Sequence, residues 1–147
     1  RDDRTLEQLV RWRAAHAGVE VLLVRGNHDH AAGDPPCEAG ITCVDEPSDD
    51  EGLTLLHHPE PSPGGVSALA GHLHPCIQMV GCGDAARRPC FWLSNNQLVL
   101  PAFGGFTGAA SITPRPGDRV FVPADDRLVE VPVVSFRGGG RRVVLGR

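Results

Sequence analysis

The sequence contains no lysine and no tyrosine, and aromatic residues make up only 5% of it, with Trp12 and Trp92 as its indole rings. All positive side chains are therefore arginine, and the core has to be assembled mainly from Val, Leu, Ala and Phe. No apolar run approaches the roughly 20 residues of a membrane-spanning helix, and the opening Arg1-Asp2-Asp3-Arg4 lacks the features of a secretory signal. No Cys-x-x-Cys pair occurs. Cys37, Cys43, Cys76, Cys82 and Cys90 form an odd set that fits neither a disulfide framework nor a zinc ribbon, so reduced thiols and a cytoplasmic location are expected.

What is present is enough for one globular domain: 147 residues, 41% hydrophobic, rich in Val, Gly and Pro, a composition that leans to sheet and loops. The formal charge of −4 is unevenly spread, with 13 acids and 5 Arg in residues 1–70 against 5 acids and 9 Arg in residues 71–147. A nucleic-acid surface that relies on backbone charge could come only from the second half, where Arg87, Arg88, Arg115 and Arg119 are candidates; a mixed solvated surface explains the same charges.

Thr5 and Gln8 have the spacing of a capping box, and Leu6, Leu9, Val10 and Trp12 supply apolar positions that predict a helix over 5–17. The β-branched run 19–24 predicts a strand ending in a loop that carries Gly26-Asn27-His28-Asp29-His30. Further strands are expected at 41–44, at 53–56 leading into His57-His58-Pro59, and at 66–70 leading into Gly71-His72-Leu73-His74. Residues 91–93 and 98–100 flank Ser94-Asn95-Asn96-Gln97, a hairpin signal because Asn tolerates positive φ. Residues 119–122 and 128–131 read as a second hairpin, ended by Pro132, and 133–136 with 142–145 as a last one around Gly138-Gly139-Gly140.

Six of the seven histidines fall between His28 and His74, in three clusters that each follow an apolar strand. Neutral imidazoles are the commonest transition-metal ligands, and strands of one sheet can bring their carboxyl ends to a common edge, where α/β proteins bind ligands. In extended backbone His72 and His74 would share one face, with Gly71 letting the chain pass close to an ion. The Asn27 amide oxygen suits a hard or borderline cation, His28 suits an acid, and Asp29 could orient it. Chemistry alone does not separate His57 from His58, and His16 and His30 read as surface histidines.

The order strand, Gly-Asn-His-Asp, strand, His, strand, Gly-His-x-His resembles the second half of a calcineurin-like metallophosphoesterase. Leu56-His57-His58-Pro59, Ala70-Gly71-His72-Leu73-His74-Pro75, Pro89-Cys90-Phe91-Trp92, Pro101-Ala102-Phe103-Gly104 with Phe106-Thr107-Gly108, and Gly117-Asp118-Arg119-Val120-Phe121-Val122 narrow the likeness to the ligase-associated DNA damage response endonucleases of the PdeM type, over about residues 5–131. The resemblance implies an α/β (α+β) four-layer β-sandwich with flanking helices, a metallophosphoesterase domain over 1–131, and a loosely attached tail at 132–147.

It further implies Asn27, His57 and His72 as ligands of one metal, His74 as a ligand of a second, and His28 beside the scissile phosphate with Asp29 behind it. The implied cofactors are two divalent cations, Mn²⁺ first and Fe, Zn or Mg as alternatives, which activate water for attack on a phosphodiester. DNA is the implied substrate, an ATP-dependent DNA ligase and a helicase the implied partners, and a membrane is not. Phe103 and Phe106 could stack bases, although core packing of their glycine-rich loop is the plainer expectation.

The family's Asp-x-His and bridging Gly-Asp motifs do not occur before Gly26; Gly33-Asp34, Gly83-Asp84 and Gly117-Asp118 lie after it, in the wrong order. The sequence therefore reads as an N-terminally truncated fragment lacking two strands. Neutral ligands facing dications without a bridging carboxylate predict at most one weakly held metal and little hydrolysis by these residues alone. A catalytically inactive metal-binding or interaction module with the same fold, a phosphoesterase of small phosphodiesters and a structural zinc protein using His and Cys are the competing readings.

Overall fold

The computed structural model describes residues 3–60, 66–81, 84–105, 107–133 and 143–144. They form a mixed α+β structure dominated by sheet, divided into two compact units, Arg1–Ser48 and Asp49–Arg147.

In the first unit, helix α1 (Asp3–Ala15) half-buries Leu6, Leu9, Val10 and Arg13, an i, i+3, i+4, i+7 stripe. Trp12 lies off the stripe and is 49% exposed. The helix starts ahead of Thr5, with Asp3 in its first turn, so Thr5 is interior and the expected Thr5–Gln8 cap is not the start; an acid there complements the helix dipole. Arg13 donates to the Ala39 and Gly40 carbonyls, tying α1 to the short 3₁₀ turn Cys37–Ala39.

Strand β1 (Leu22–Val24) precedes helix α2 (Asn27–Ala32), and β2 (Thr42–Val44) runs parallel to β1 with Leu22 opposite Thr42. The first histidine cluster thus opens a helix rather than lying in a loop. Gly26 is the N-cap, and its N–H donates to Asp29 Oδ2 at 2.8 Å, closing the first turn. Arg25 clamps the connections beyond α2 and β2, donating to both carboxylate oxygens of Asp34 at 2.7 Å and to Asp45 at 3.1 Å. These contacts hold the Asp34 carboxyl below its ordinary range.

Edge strand β3 (Ser48–Asp50) leads into the second unit, where β4 (Leu53–Leu56) and β5 (Ala68–Ala70) follow. Next come β6 (Pro75–Gly81), β7 (Asp84–Pro89), β8 (Phe91–Ser94), β9 (Gln97–Val99) and β10 (Ala110–Ser111). Strands β11 (Arg119–Ala124), β12 (Arg127–Val131) and β13 (Val143–Val144) complete it. One seven-stranded sheet has the order β12-β11-β8-β9-β5-β4-β3; the other is β10-β6-β13 with β7 also on β6. The β8–β9 hairpin turns through Asn95 and Asn96 at φ 49° and 63°, as their amides predict. The β11–β12 hairpin turns with Asp125 at φ 52°.

The core lies between the sheets. Ile77 of β6 and Cys90 pack against Val120, Val122 and Val131, with Met79, Trp92, Ile112 and Val133 around them. Within the seven-stranded sheet β4, β5 and β9 are parallel, with Leu56 beside Ala70 and Ala70 beside Val99. Their carboxyl ends therefore share an edge. Strand β1 belongs to its own two-stranded sheet with β2, so the expectation that all three histidine strands share one sheet is met by two of them. Of the hairpin expected at 133–145, Val143–Val144 lies parallel to β6; most of the rest, like Phe106 and Cys82, falls outside the described residues.

Candidate metal centre

Two adjacent parallel strands deliver the histidines of the second unit. Leu56 and Ala70 are in register, and the ladder continues one residue further through Gly71 N–H to the His57 carbonyl at 3.2 Å. His57-His58 and His72 thus leave the sheet side by side. His72 Nδ1 lies 2.9 Å from His57 Nε2, and the rings of His57, His58 and His72 have centroids 4.3–4.8 Å apart. One nitrogen from each of the three imidazoles lies within 4.8 Å of the others.

This donor set fits a transition dication. Two imidazole nitrogens bound at about 2.0–2.1 Å to one ion at right angles stand roughly 2.9 Å apart, the observed His57–His72 spacing. The widest spacing, 4.8 Å, slightly exceeds the roughly 4.2 Å between opposite ligands of one ion. A small χ rotation of one ring closes it. His58, which the resemblance sets aside in favour of His57, stands in the same group. A His-His pair at the end of a strand carries that signal, because a bend there can turn both rings to one side.

The expectation of extended backbone at Gly71-His72-Leu73-His74 is corrected. His72 and His74 have φ of 59° and 48°, and Leu73 N–H donates back to the Gly71 carbonyl at 2.7 Å. The segment is a tight turn with two left-handed histidines, a conformation non-glycine residues rarely adopt and one concentrated at functional sites. It sends the two rings to different partners. His72 joins His57, while His74 Nδ1 lies 3.0 Å from the Gly108 carbonyl. A carbonyl only accepts, so Nδ1 is the donor in this contact and Nε2 is the ring nitrogen left to face a ligand. A Cβ on Gly71 would meet the His57 carbonyl at an ordinary 3.8 Å, so no crowding by the protein requires glycine there.

Asn27 and His28 are exposed in the first turn of α2 in the other unit; Asp29 is half-buried beneath them and caps its own helix. His16 and His30 are exposed, as expected. Two Gly-Asp pairs that lie in the wrong order for a metal carboxylate have structural partners. Asp34 is held by Arg25. Asp118 Oδ2 accepts from Trp92 Nε1–H at 3.0 Å and Arg115 N–H at 2.7 Å, and Ser94 also bonds its carboxylate. Burial alone would raise the Asp118 carboxyl, but these hydrogen bonds together hold it below its ordinary value. The Gly83-Asp84 pair includes residues outside the described set.

The expected basic strip is partly spent. Arg119 donates two bonds of 2.9 Å to Glu130, and Arg87 reaches Cys76 Sγ and the Ala109 carbonyl. The expectation that Phe103 packs into the core is overturned, since its side chain is fully exposed among the described residues. The described cysteines, Cys37, Cys43, Cys76 and Cys90, are free thiols. No helix among the described residues is long and apolar enough to cross a membrane.

No family model matches the chain, and no curated protein matches it. A solved structure does: the crystal structure of Pseudomonas putida nuclease MPE superposes with a TM-score of 0.74 at 40% sequence identity, over 86% of this chain. This chain spans 61% of the length of that one.

Proposed function

We infer that the chain belongs to the metallophosphoesterases of the PdeM endonuclease type and serves metal-dependent hydrolysis of phosphodiester bonds. The observation that carries this reading is the group His57, His58 and His72 at the shared edge of β4 and β5, in a chain 40% identical to a nuclease. The calcineurin-like arrangement of the whole, with metal ions at that edge, is part of the same proposal.

In this reading His57 and His72 would hold one ion and His74 a second, its ring oriented by Gly108, and the resemblance alone adds Asn27 as a ligand. Divalent cations, Mn²⁺ first among them, would supply neutralisation of phosphoryl charge and activation of water if held by these residues. His28 donates a proton to the leaving oxygen, and Asp29 fixes the turn that carries it through its bond to Gly26. On resemblance alone we extend the substrate to DNA and the setting to a DNA damage response alongside an ATP-dependent ligase and a helicase.

A second reading, a metal-binding module without hydrolytic activity, draws on the composition of the group, which contains three imidazoles and no carboxylate. Neutral ligands alone leave the ion's charge uncompensated, so these residues by themselves are expected to hold one ion weakly. The test is Mn²⁺-dependent cleavage of plasmid DNA and of bis(p-nitrophenyl) phosphate by the full-length natural protein, with His72→Ala beside it. Metal-dependent turnover that His72→Ala abolishes supports the enzyme. Metal binding without turnover on either substrate supports the module.

A further inference from the structure

Arg87 lies opposite Gln78 in the β6–β7 ladder, and its side chain crosses β6. At Cys76 strand β6 is flanked by Pro89 of β7 and Ser111 of β10, so these two neighbours lie on opposite edges. The guanidinium spans them: Nε–H donates to Cys76 Sγ, and Nη2 donates to the carbonyl of Ala109, just before β10. Cys76 is buried, although Arg87 and residues 107–111 are exposed. Two donors of the fork are thus committed to the protein itself.

The Ala109 carbonyl and the Ala110 N–H belong to one planar peptide unit. Its N–H donates to the Leu73 and His74 carbonyls at 3.2 and 3.1 Å, and its oxygen accepts from Arg87. Both ends of that plane are therefore held. The adjoining unit carries the Gly108 carbonyl, which accepts from His74 Nδ1 at 3.0 Å. Gly108 has no Cβ to limit its dihedrals, and one built there would meet nothing within 4 Å, so local sterics leave this carbonyl free to turn. Only φ and ψ of Ala109, an ordinary L residue, separate it from the plane that Arg87 holds.

We propose that Arg87 is a positioning residue for His74: by fixing the 109–110 peptide it aims the Gly108 carbonyl at Nδ1 and keeps Nε2 as the nitrogen that faces a ligand. The proposal rests on the metal-centre reading only for what His74 serves. Lysine cannot take over this role, because an ammonium on a flexible stem has no planar fork to bond the thiol and the carbonyl together. Removing a group that orients a metal ligand costs about 10–100-fold in metal affinity, and Arg87 acts one step further out, so a loss of about tenfold is expected.

Two readouts on the full-length natural protein test this. Long-range ¹H–¹⁵N NMR of the metal-free protein at pH 8, above the ordinary imidazole pKa of about 6.5, shows which ring nitrogen of each histidine carries the proton. His74 should carry it on Nδ1 in the wild type and shift toward Nε2 in Arg87→Lys, with the other histidines unchanged. Equilibrium dialysis against Mn²⁺ should show affinity about tenfold weaker in Arg87→Lys. Added to His74→Ala, the same substitution should cost nothing more, because the two residues act through one contact.

A wild-type His74 protonated on Nε2 would overturn the proposal without any variant. So would an unchanged His74 in folded Arg87→Lys, or an equal loss of Mn²⁺ affinity with and without the His74 ring. A His74 shift in Arg87→Lys, in a protein that binds no Mn²⁺ in any form, supports the positioning and refutes the metal-centre reading alone.

Discussion

Replacing Asp118 with alanine removes the acceptor shared by the Trp92 indole, the Arg115 backbone N–H and Ser94. Hydrogen bonds to a charged group contribute roughly 1.5–3 kcal/mol each, but the carboxylate is only partly buried and the three are not additive, so a loss of about 3 kcal/mol is expected. With a urea slope of about 2 kcal/mol/M, the midpoint falls by roughly 1.5 M. Asp118→Asn keeps an acceptor oxygen and should lose less than half of that. Urea unfolding followed by Trp92 fluorescence measures both.

The pH dependence is fixed by the direction of the shift. The folded carboxyl lies below its ordinary value of 3.8, so its contribution is present in full above that value and is lost as pH falls through the lower folded one. The gap between wild type and Asp118→Ala should stay constant from about pH 5 to 8 and shrink below about pH 4. A gap under about 0.5 kcal/mol at pH 7, or one that widens in acid, would refute the assignment of Asp118 as the clamp between β8 and the Arg115 turn.

Three further outcomes are expected. His57→Ala should lower bound metal after equilibrium dialysis against Mn²⁺ while His58→Ala largely spares it; equal losses would show that His58 ligates too. Cys90 is fully buried, and burial, with Cys76 nearby, pushes its thiol up to about 12, so peptide mapping after iodoacetamide at pH 8 should find Cys37 alkylated and Cys90 protected until the chain unfolds. Val120→Ala, at a fully buried position of the core cluster, should cost about 2 kcal/mol and lower the thermal midpoint by several degrees.

Much of the scaffold was readable from residue patterns, because local chemistry decided it. Asn95-Asn96 between two apolar runs needs positive φ and gives the β8–β9 hairpin; the apolar run 53–56 is strand β4. The histidines after 56 and 70 were legible as a pair of sites because parallel neighbours in register must end together. The geometry of the site was not. Left-handed φ at His72 and His74 is imposed by the turn's own hydrogen bond and by the partners His57 and Gly108, which lie far away in the chain.

For the same reason Gly117-Asp118 reads in sequence as a misplaced metal motif, while in the fold its carboxylate is committed to Trp92 and Arg115. The α2 start escaped notice because a six-residue helix has no periodicity to detect; the Gly26–Asp29 spacing was its one local signal.

The most direct test of the central claim is proton NMR of the imidazole resonances of the 147-residue chain during a Mn²⁺ titration at neutral pH. His57, His58 and His72 should broaden first, at substoichiometric metal, with His16 and His30 unaffected, and His72→Ala should abolish the selectivity. Uniform broadening of every histidine, or selective broadening that survives in His72→Ala, would contradict the claim that His57 and His72 form a metal site with His58 beside it.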